Sequence, residues 1–134
     1  MKKIRVVCGI IINNDNHILI TRRNSGDFKG KWEFPGGKLE ENESEKDCLI
    51  REIKEELDIE IIVDSFIMRN EHTYPEFSVE LISYLSYYKS GKIKLVDHDQ
   101  YEWVETSRLK EFDFLDGDIP IINNIVSNNI SIPS

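Results

Sequence analysis

The sequence predicts an α/β fold, a mixed β-sheet flanked by helices, and three observations carry that reading. Runs rich in β-branched residues recur through the chain, one strongly helical segment separates the first of them from the rest, and two shorter helical stretches close the sequence. With 134 residues, 40% of them hydrophobic, the chain suits one compact domain, 1–134, with a buried core.

Taken in order, Ile4 to Ile12 reads as a buried strand, Asn13 to Asn16 as a turn, and His17 to Thr21 as the return strand of a hairpin. Arg22 and Arg23 then sit at a strand end. The stretch "NSGDFKGKWEFPGG" packs four glycines, a proline and three aromatics into fourteen residues and reads as an ordered loop. Ser44 is the expected N-cap of the helix that follows, with Asp47 in its first turn. Along it Leu49, Ile50, Ile53 and Leu57 form an apolar stripe, while Asp47, Arg51, Lys54 and Asp58 gather on the far side as i,i+4 pairs. Strands follow near Ile59 to Met68, Phe77 to Tyr88 and Glu102 to Val104, then short helices near Ser107 to Phe112 and Ile119 to Val126. "SVELISYLSYY" alternates as a strand with one face more polar. The apolar ending "IPIINNIVSNNISI" is expected to pack on the core.

Composition narrows the function. The opening "MKKIRVVCGIIINNDNHILI" is interrupted by Asn13, Asn14 and Asp15 and lacks a small-residue cleavage site, and no apolar run approaches the ~18 residues of a membrane span. Cys8 and Cys48 form no C-x-x-C pair, so neither a zinc site nor a disulfide framework is suggested, and a reduced, cytoplasmic protein is expected. A net charge of −8 argues against binding long nucleic acid, whose affinity rests on phosphate neutralisation. The charge is also uneven. Residues 1–38 hold eight Lys or Arg against three acids, whereas residues 40–60 hold ten acids against three bases.

That acidic run poses a physical problem. The helix dipole favours acids in the first turn but not Glu55 and Glu56 near the end. Glu52, Glu55 and Glu56, at i, i+3 and i+4, share one helix edge and repel each other by ~0.2–0.5 kcal/mol per exposed pair. Oxygen ligands on one rigid element suit a hard cation such as Mg²⁺ or Mn²⁺. A solvated acidic face is the competing reading, and the calcium-loop pattern D-x-[DN]-x-[DN]-G is absent.

The spacing Gly37, five residues, Glu43, seven residues, then Arg51-Glu52-Ile53-Lys54-Glu55-Glu56-Leu57-Asp58-Ile59 resembles the Nudix box, G-x5-E-x7-R-E-U-x-E-E-x-G-U, with U a bulky aliphatic. Only the late glycine departs, replaced by Asp58. "TRRNSGDFKGKWEFPGGK", "MKKIRVVCGII" and "DGDIPII" extend the resemblance to the MutT-type subgroup. The resemblance implies a Nudix fold, an α/β/α sandwich, and hydrolysis of a nucleoside triphosphate to monophosphate and pyrophosphate with Mg²⁺, for which Mn²⁺ can substitute.

Carried over residue by residue, the resemblance makes Glu52, Glu55 and Glu56 metal-binding and catalytic, and gives Gly36 and Gly37 the close backbone approach to metal or phosphate. Glu43 and Arg51 become structural. Asp97 matches the later-loop acid that assists with metal and water, with His98 a competing base. Arg23 and Lys38, and less so Arg22, are candidates for phosphate or base contacts. Asp118 stands where the subgroup has a purine-reading amide; ionised, it would favour a base edge that offers donors, and protonation by burial would change that. Phe34, Tyr74 and Phe77 could wall in the base or simply fill the core. The expected substrate is an oxidised purine triphosphate such as 8-oxo-dGTP, with CTP or a modified pyrimidine triphosphate as the alternative. A noncatalytic nucleotide-binding module and a purely structural acidic surface are the readings of other classes. A monomer or homodimer is expected. Asp58 is expected to take the left-handed cap conformation at ~1 kcal/mol or less.

Overall fold

The computed structural model describes residues 2–128. Its strands are β1 (Lys2–Ile12), β2 (Ile18–Arg23), β3 (Trp32–Glu33), β4 (Gly36–Lys38), β5 (Glu60–Thr73), β6 (Phe77–Ser90) and β7 (His98–Val104). Helix α1 (Glu45–Leu57) lies between β4 and β5; two 3₁₀ segments, Thr106–Glu111 and Asp116–Asp118, precede α2 (Ile119–Asn128). All seven strands form one mixed sheet with the path β3-β2-β1-β6-β5, in which β4 also pairs with β1 and β7 with β2. Only β1 and β6 run parallel, in register from Lys2 opposite Phe77 to Ile12 opposite Tyr87.

Alternation along β1 sends its side chains to two cores. Val7 and Ile11 meet Leu49, Ile53 and Leu57 of α1, whereas Cys8, Ile10 and Ile12 meet Phe34, Phe114, Ile121, Ile122 and Ile125 beneath α2. These are the helix-sheet-helix layers that the sequence predicts. Residues 129–132 of the C-terminal apolar stretch lie outside the described residues; its earlier part packs on the core as expected.

Four local expectations change. The glycine-rich stretch is not all loop: β4 pairs antiparallel with β1, Gly36 opposite Cys8 and Gly37 opposite Val7. A glycine pair carries no strand propensity, so pairing alone makes this strand. The polar face expected on β6 is buried, because α1 packs over it: Ile82 and Tyr84 join Leu49, Ile53 and Leu57, and Glu80 is held by Lys3 at 3.0 Å and Arg69 at 2.9 Å. Strand β7 begins four residues earlier than expected, at His98. On α1, Ile50 is 37% exposed while Cys48 is fully buried. Cys48, Glu52 and Glu56, each four residues apart, form a strip beside the apolar one, and β4 covers it, so α1 is buried on two sides.

The caps follow the sequence reading. The Ser44 hydroxyl accepts from the Asp47 N–H at 3.1 Å, and Asp58 adopts φ 57°, ψ 36° while its N–H donates to the Lys54 carbonyl at 3.0 Å. Lys54 and Asp58 pair at 3.0 Å, but Arg51 turns from Asp47 towards Glu43. At the other end, Glu45 fastens α1 to the sheet through the Tyr84 hydroxyl at 2.7 Å and Arg69 at 3.1 Å.

Candidate active site

The apposition of α1 and β4 builds the acidic half of the site. A Cβ on Gly36 would strike the Val7 carbonyl, and one on Gly37 would fall on the Glu52 carboxyl, so Gly36 lets β4 lie against β1 and Gly37 lets α1 approach β4. Arg51 organises the carboxylates. Its Nε donates to Glu43 at 2.7 Å, its Nη2 to the other Glu43 oxygen at 3.0 Å and to the Lys38 carbonyl at 3.3 Å, and its Nη1 reaches Glu52 and Glu55, each at 3.1 Å. This hydrogen bonding holds the Glu43 carboxyl down at about 2. Burial beneath β4 pushes Glu52 upward instead.

Glu56 faces away from that arginine. Burial first, then a hydrogen bond and charge from Asp97, push its carboxyl up. Its Oε2 is buried with no hydrogen-bond partner among the described residues. Two carboxyls in such contact need a shared proton or a cation, and this hard oxygen set suits a divalent ion. Among the described residues no three acid, His or Cys side chains converge as a ready cage, because Arg51 holds Glu52 and Glu55.

Two cavities meet here. A polar one of about 270 Å³ is lined by Arg23, Ser25, Glu33, Gly36, Glu56, Asp97 and His98. Its neighbour, about 340 Å³ and walled by Phe28, Phe34, Tyr74, Phe77 and Leu81 among others, holds Asp118. Arg23, Glu33 and Gly36 line both. An acidic, cation-ready chamber opening onto an aromatic one is a plan for a ligand with an anionic end and a flat apolar end.

The family profile of the NUDIX domain matches residues 2–125. The chain belongs to the Nudix family. It is 28% identical to the CTP pyrophosphohydrolase of Escherichia coli (strain K12) over 134 residues, covering 100% of this chain and 99% of that one. It is 32% identical to the 8-oxo-dGTP diphosphatase of the same strain over 123 residues, 91% of this chain and 95% of that one. The crystal structure of the MutT protein from Methanosarcina mazei Go1 superimposes with a TM-score of 0.85 at 26% identity, covering 96% of each chain. Nudix hydrolases generally use divalent metals, which agrees with the oxygen set around Glu56.

Within this Nudix fold, the sequence candidates fall into distinct places. Glu56 and Asp97 are together, Glu52 lies against Gly37, and Glu55 is exposed on the outer side of Arg51. Lys38 is exposed at the rim of the aromatic cavity. Arg22 lines neither cavity; it grips Asp99 with two hydrogen bonds, 2.8 and 3.0 Å. Arg23 lines both, its Nε on Glu33 at 3.2 Å. Phe34 is 3% exposed, and its ring lies 5.2 Å from that of Phe114, so it serves core and cavity at once. Tyr74 stacks on Phe77 at 5.2 Å and packs against Phe28 and His72.

Asp118 is 3% exposed and accepts from the Phe34 N–H at 2.9 Å. Burial drives its carboxyl up to about 8, against the pull of that hydrogen bond. Burial therefore favours its neutral form, the protonation that the sequence reading named as changing what this side chain can recognise. The sequence reading missed Glu33 and Phe28. Their only sequence signal was a place in the glycine-rich stretch, where a charged residue reads as solvent-facing.

Proposed function

We propose that this protein hydrolyses a nucleoside triphosphate to the monophosphate and pyrophosphate, with an oxidised purine such as 8-oxo-dGTP as substrate. As a Nudix hydrolase it acts on phosphoric anhydride bonds. The carrying observation is the neutral Asp118 in an aromatic cavity that opens, past Arg23 and Glu33, onto Glu56 and Asp97. A carboxylic acid both donates and accepts, so it matches the adjacent carbonyl and N–H of an oxopurine edge, which a carboxylate would repel. The aromatic walls take the base, and the acidic chamber takes the phosphates.

The residues of that chamber have separable tasks in this proposal. Glu52, Glu56 and Asp97 would hold Mg²⁺, or Mn²⁺ in its place, with Glu55 joining once released from Arg51 and Gly36 offering backbone. The bound cation neutralises the polyphosphate and lowers the pKa of water. Asp97 and Glu56 supply the carboxylates that take a proton from the attacking water. Glu43 and Arg51 hold α1 against β4, and Lys38 and the Arg23 guanidinium face the anionic part of the substrate. The CTP reading is kept as second, because the CTP pyrophosphohydrolase relative aligns along the whole chain and the cytosine edge also pairs an acceptor with a donor.

A panel of canonical and oxidised nucleoside triphosphates, nucleoside diphosphate sugars and dinucleoside polyphosphates, assayed for pyrophosphate or phosphate with Mg²⁺, tests this. The largest kcat/KM is expected for 8-oxo-dGTP. A larger value for CTP would transfer the assignment to the second reading, and no hydrolysis would mean a binding module.

A further inference from the structure

We propose that Glu33 and His98 form a positioning unit that fixes Arg23 at the junction of the two cavities for contact with the nucleotide. This rests on the nucleotide reading above and adds to it residues that the Nudix box does not contain. Both oxygens of Glu33 are used: Oε1 accepts from the Arg23 Nε at 3.2 Å, and Oε2 lies 2.9 Å from the His98 Nε2. The His98 side chain is 7% exposed and that of Glu33 17%.

Sheet geometry explains why the three meet. Strand β2 runs between β3 and β7, and Thr21 faces Glu33 on one side and Tyr101 on the other. Arg23, two residues on, shares the face of Thr21. An unbroken register would put Asp99 opposite Arg23. A β-bulge between Arg22 and Arg23 instead leaves Asp99 unpaired and sets His98 opposite Arg23. Asp99 is thereby left to bind Arg22, and His98 joins Arg23 and Glu33 on the cavity side.

The Arg23 Nε is occupied by Glu33, while its two Nη groups have no hydrogen-bond partner among the described residues. A guanidinium anchored through Nε presents its outer edge as a fork for an anionic oxygen, and anchoring removes the rotamer freedom that binding would otherwise cost. Glu33 alone could swing with Arg23. Tied to a buried imidazole on a strand, it cannot.

The test is a double-mutant cycle between Arg23→Ala and His98→Ala. It reads the Kd of a non-hydrolysable α,β-methylene dGTP by calorimetry, together with kcat and KM for the best triphosphate of the panel. His98→Ala is expected to weaken binding about tenfold, the scale of a lost hydrogen bond to a charged group. KM should rise similarly and kcat change far less. In the Arg23→Ala background His98→Ala should add almost nothing, and His98→Gln, whose amide can still donate to Glu33, should recover most of the affinity. Additive losses would overturn the proposal, as would a fall in kcat with KM unchanged. If His98→Ala fails to fold, the same cycle is run with Glu33→Gln, whose expected and contrary results are the same. Analogue binding by a wild type that hydrolyses no triphosphate of the panel would contradict the hydrolase reading while leaving this cycle decisive; failure to bind both this analogue and its CTP counterpart would overturn both.

Discussion

At the scale of single residues, protonation decides what Asp118 can recognise. On the proposed reading the carboxyl, pushed up to about 8, donates to the base below that pH and carries a charge into an apolar cavity above it. Activity on an oxopurine triphosphate should therefore fall as pH rises through about 8, approaching about tenfold per pH unit in kcat/KM. Asp118→Asn keeps one donor and one acceptor at every pH, so its profile should lack this limb. The sign for stability agrees: a carboxyl whose folded value is raised gives stability that is present below its unfolded value of ~3.9 and lost as pH rises through about 8. Glu43 has the opposite sign. Held at about 2 by Arg51, it stabilises the fold above its ordinary value of 4.5, and that contribution disappears as pH falls towards 2. Urea melts of Glu43→Gln against wild type should converge as pH falls through that window.

At the scale of elements, the two glycines of β4 look equivalent in sequence and are not equivalent in the fold. Gly36→Ala drives a methyl into the backbone of β1 and should destabilise the protein by ~1–3 kcal/mol or more. Gly37→Ala meets only the end of a flexible glutamate, so its thermal melt should stay near wild type while activity and Mn²⁺ affinity fall with the displaced Glu52. Equal melting losses for the two variants would contradict this account of α1 against β4. At the other end of α1, Asp58→Gly relieves a left-handed non-glycine residue, so circular dichroism should show a gain of ~1 kcal/mol or less with activity unchanged.

These elements also show what sequence can carry. The caps at Ser44 and Asp58, the buried stripe of Leu49, Ile53 and Leu57 and the spacing of Glu52, Glu55 and Glu56 were legible, because each depends on residues within a few positions of one another. The burial of Cys48 and Glu56 was not. It depends on a glycine strand with no propensity of its own, held by pairing with β1. Nor could sequence reveal that His98 rather than Asp99 faces Arg23, since one bulged residue reverses the parity of β7. The protonation of Asp118 needed the cavity around it.

At the scale of the whole molecule, the proposed function asks an acidic protein to bind a polyanion, and the fold meets that demand by keeping its charges in separate compartments. Arg51 neutralises the outer carboxylates, and on the proposed reading Glu56 and Asp97 share a cation site while the aromatic cavity on the opposite side of Arg23 and Glu33 takes the base. No helix among the described residues is long and apolar enough to cross a membrane. The mixed sheet makes this division possible, because the parallel β1-β6 pair carries α1 on one face and the aromatic cavity on the other.

The central claim is that the chamber around Glu56 does cation-dependent chemistry on a triphosphate whose base lies beside Asp118. The most direct measurement is pyrophosphate release from 8-oxo-dGTP by wild type and Glu56→Gln, with Mg²⁺ and with excess chelator. Wild type should turn over only with the metal, and Glu56→Gln should lose about 10²-fold or more in kcat while melting no lower than wild type, since the substitution relieves a buried carboxyl. Turnover by Glu56→Gln equal to wild type, or turnover by wild type in excess chelator, would contradict the account.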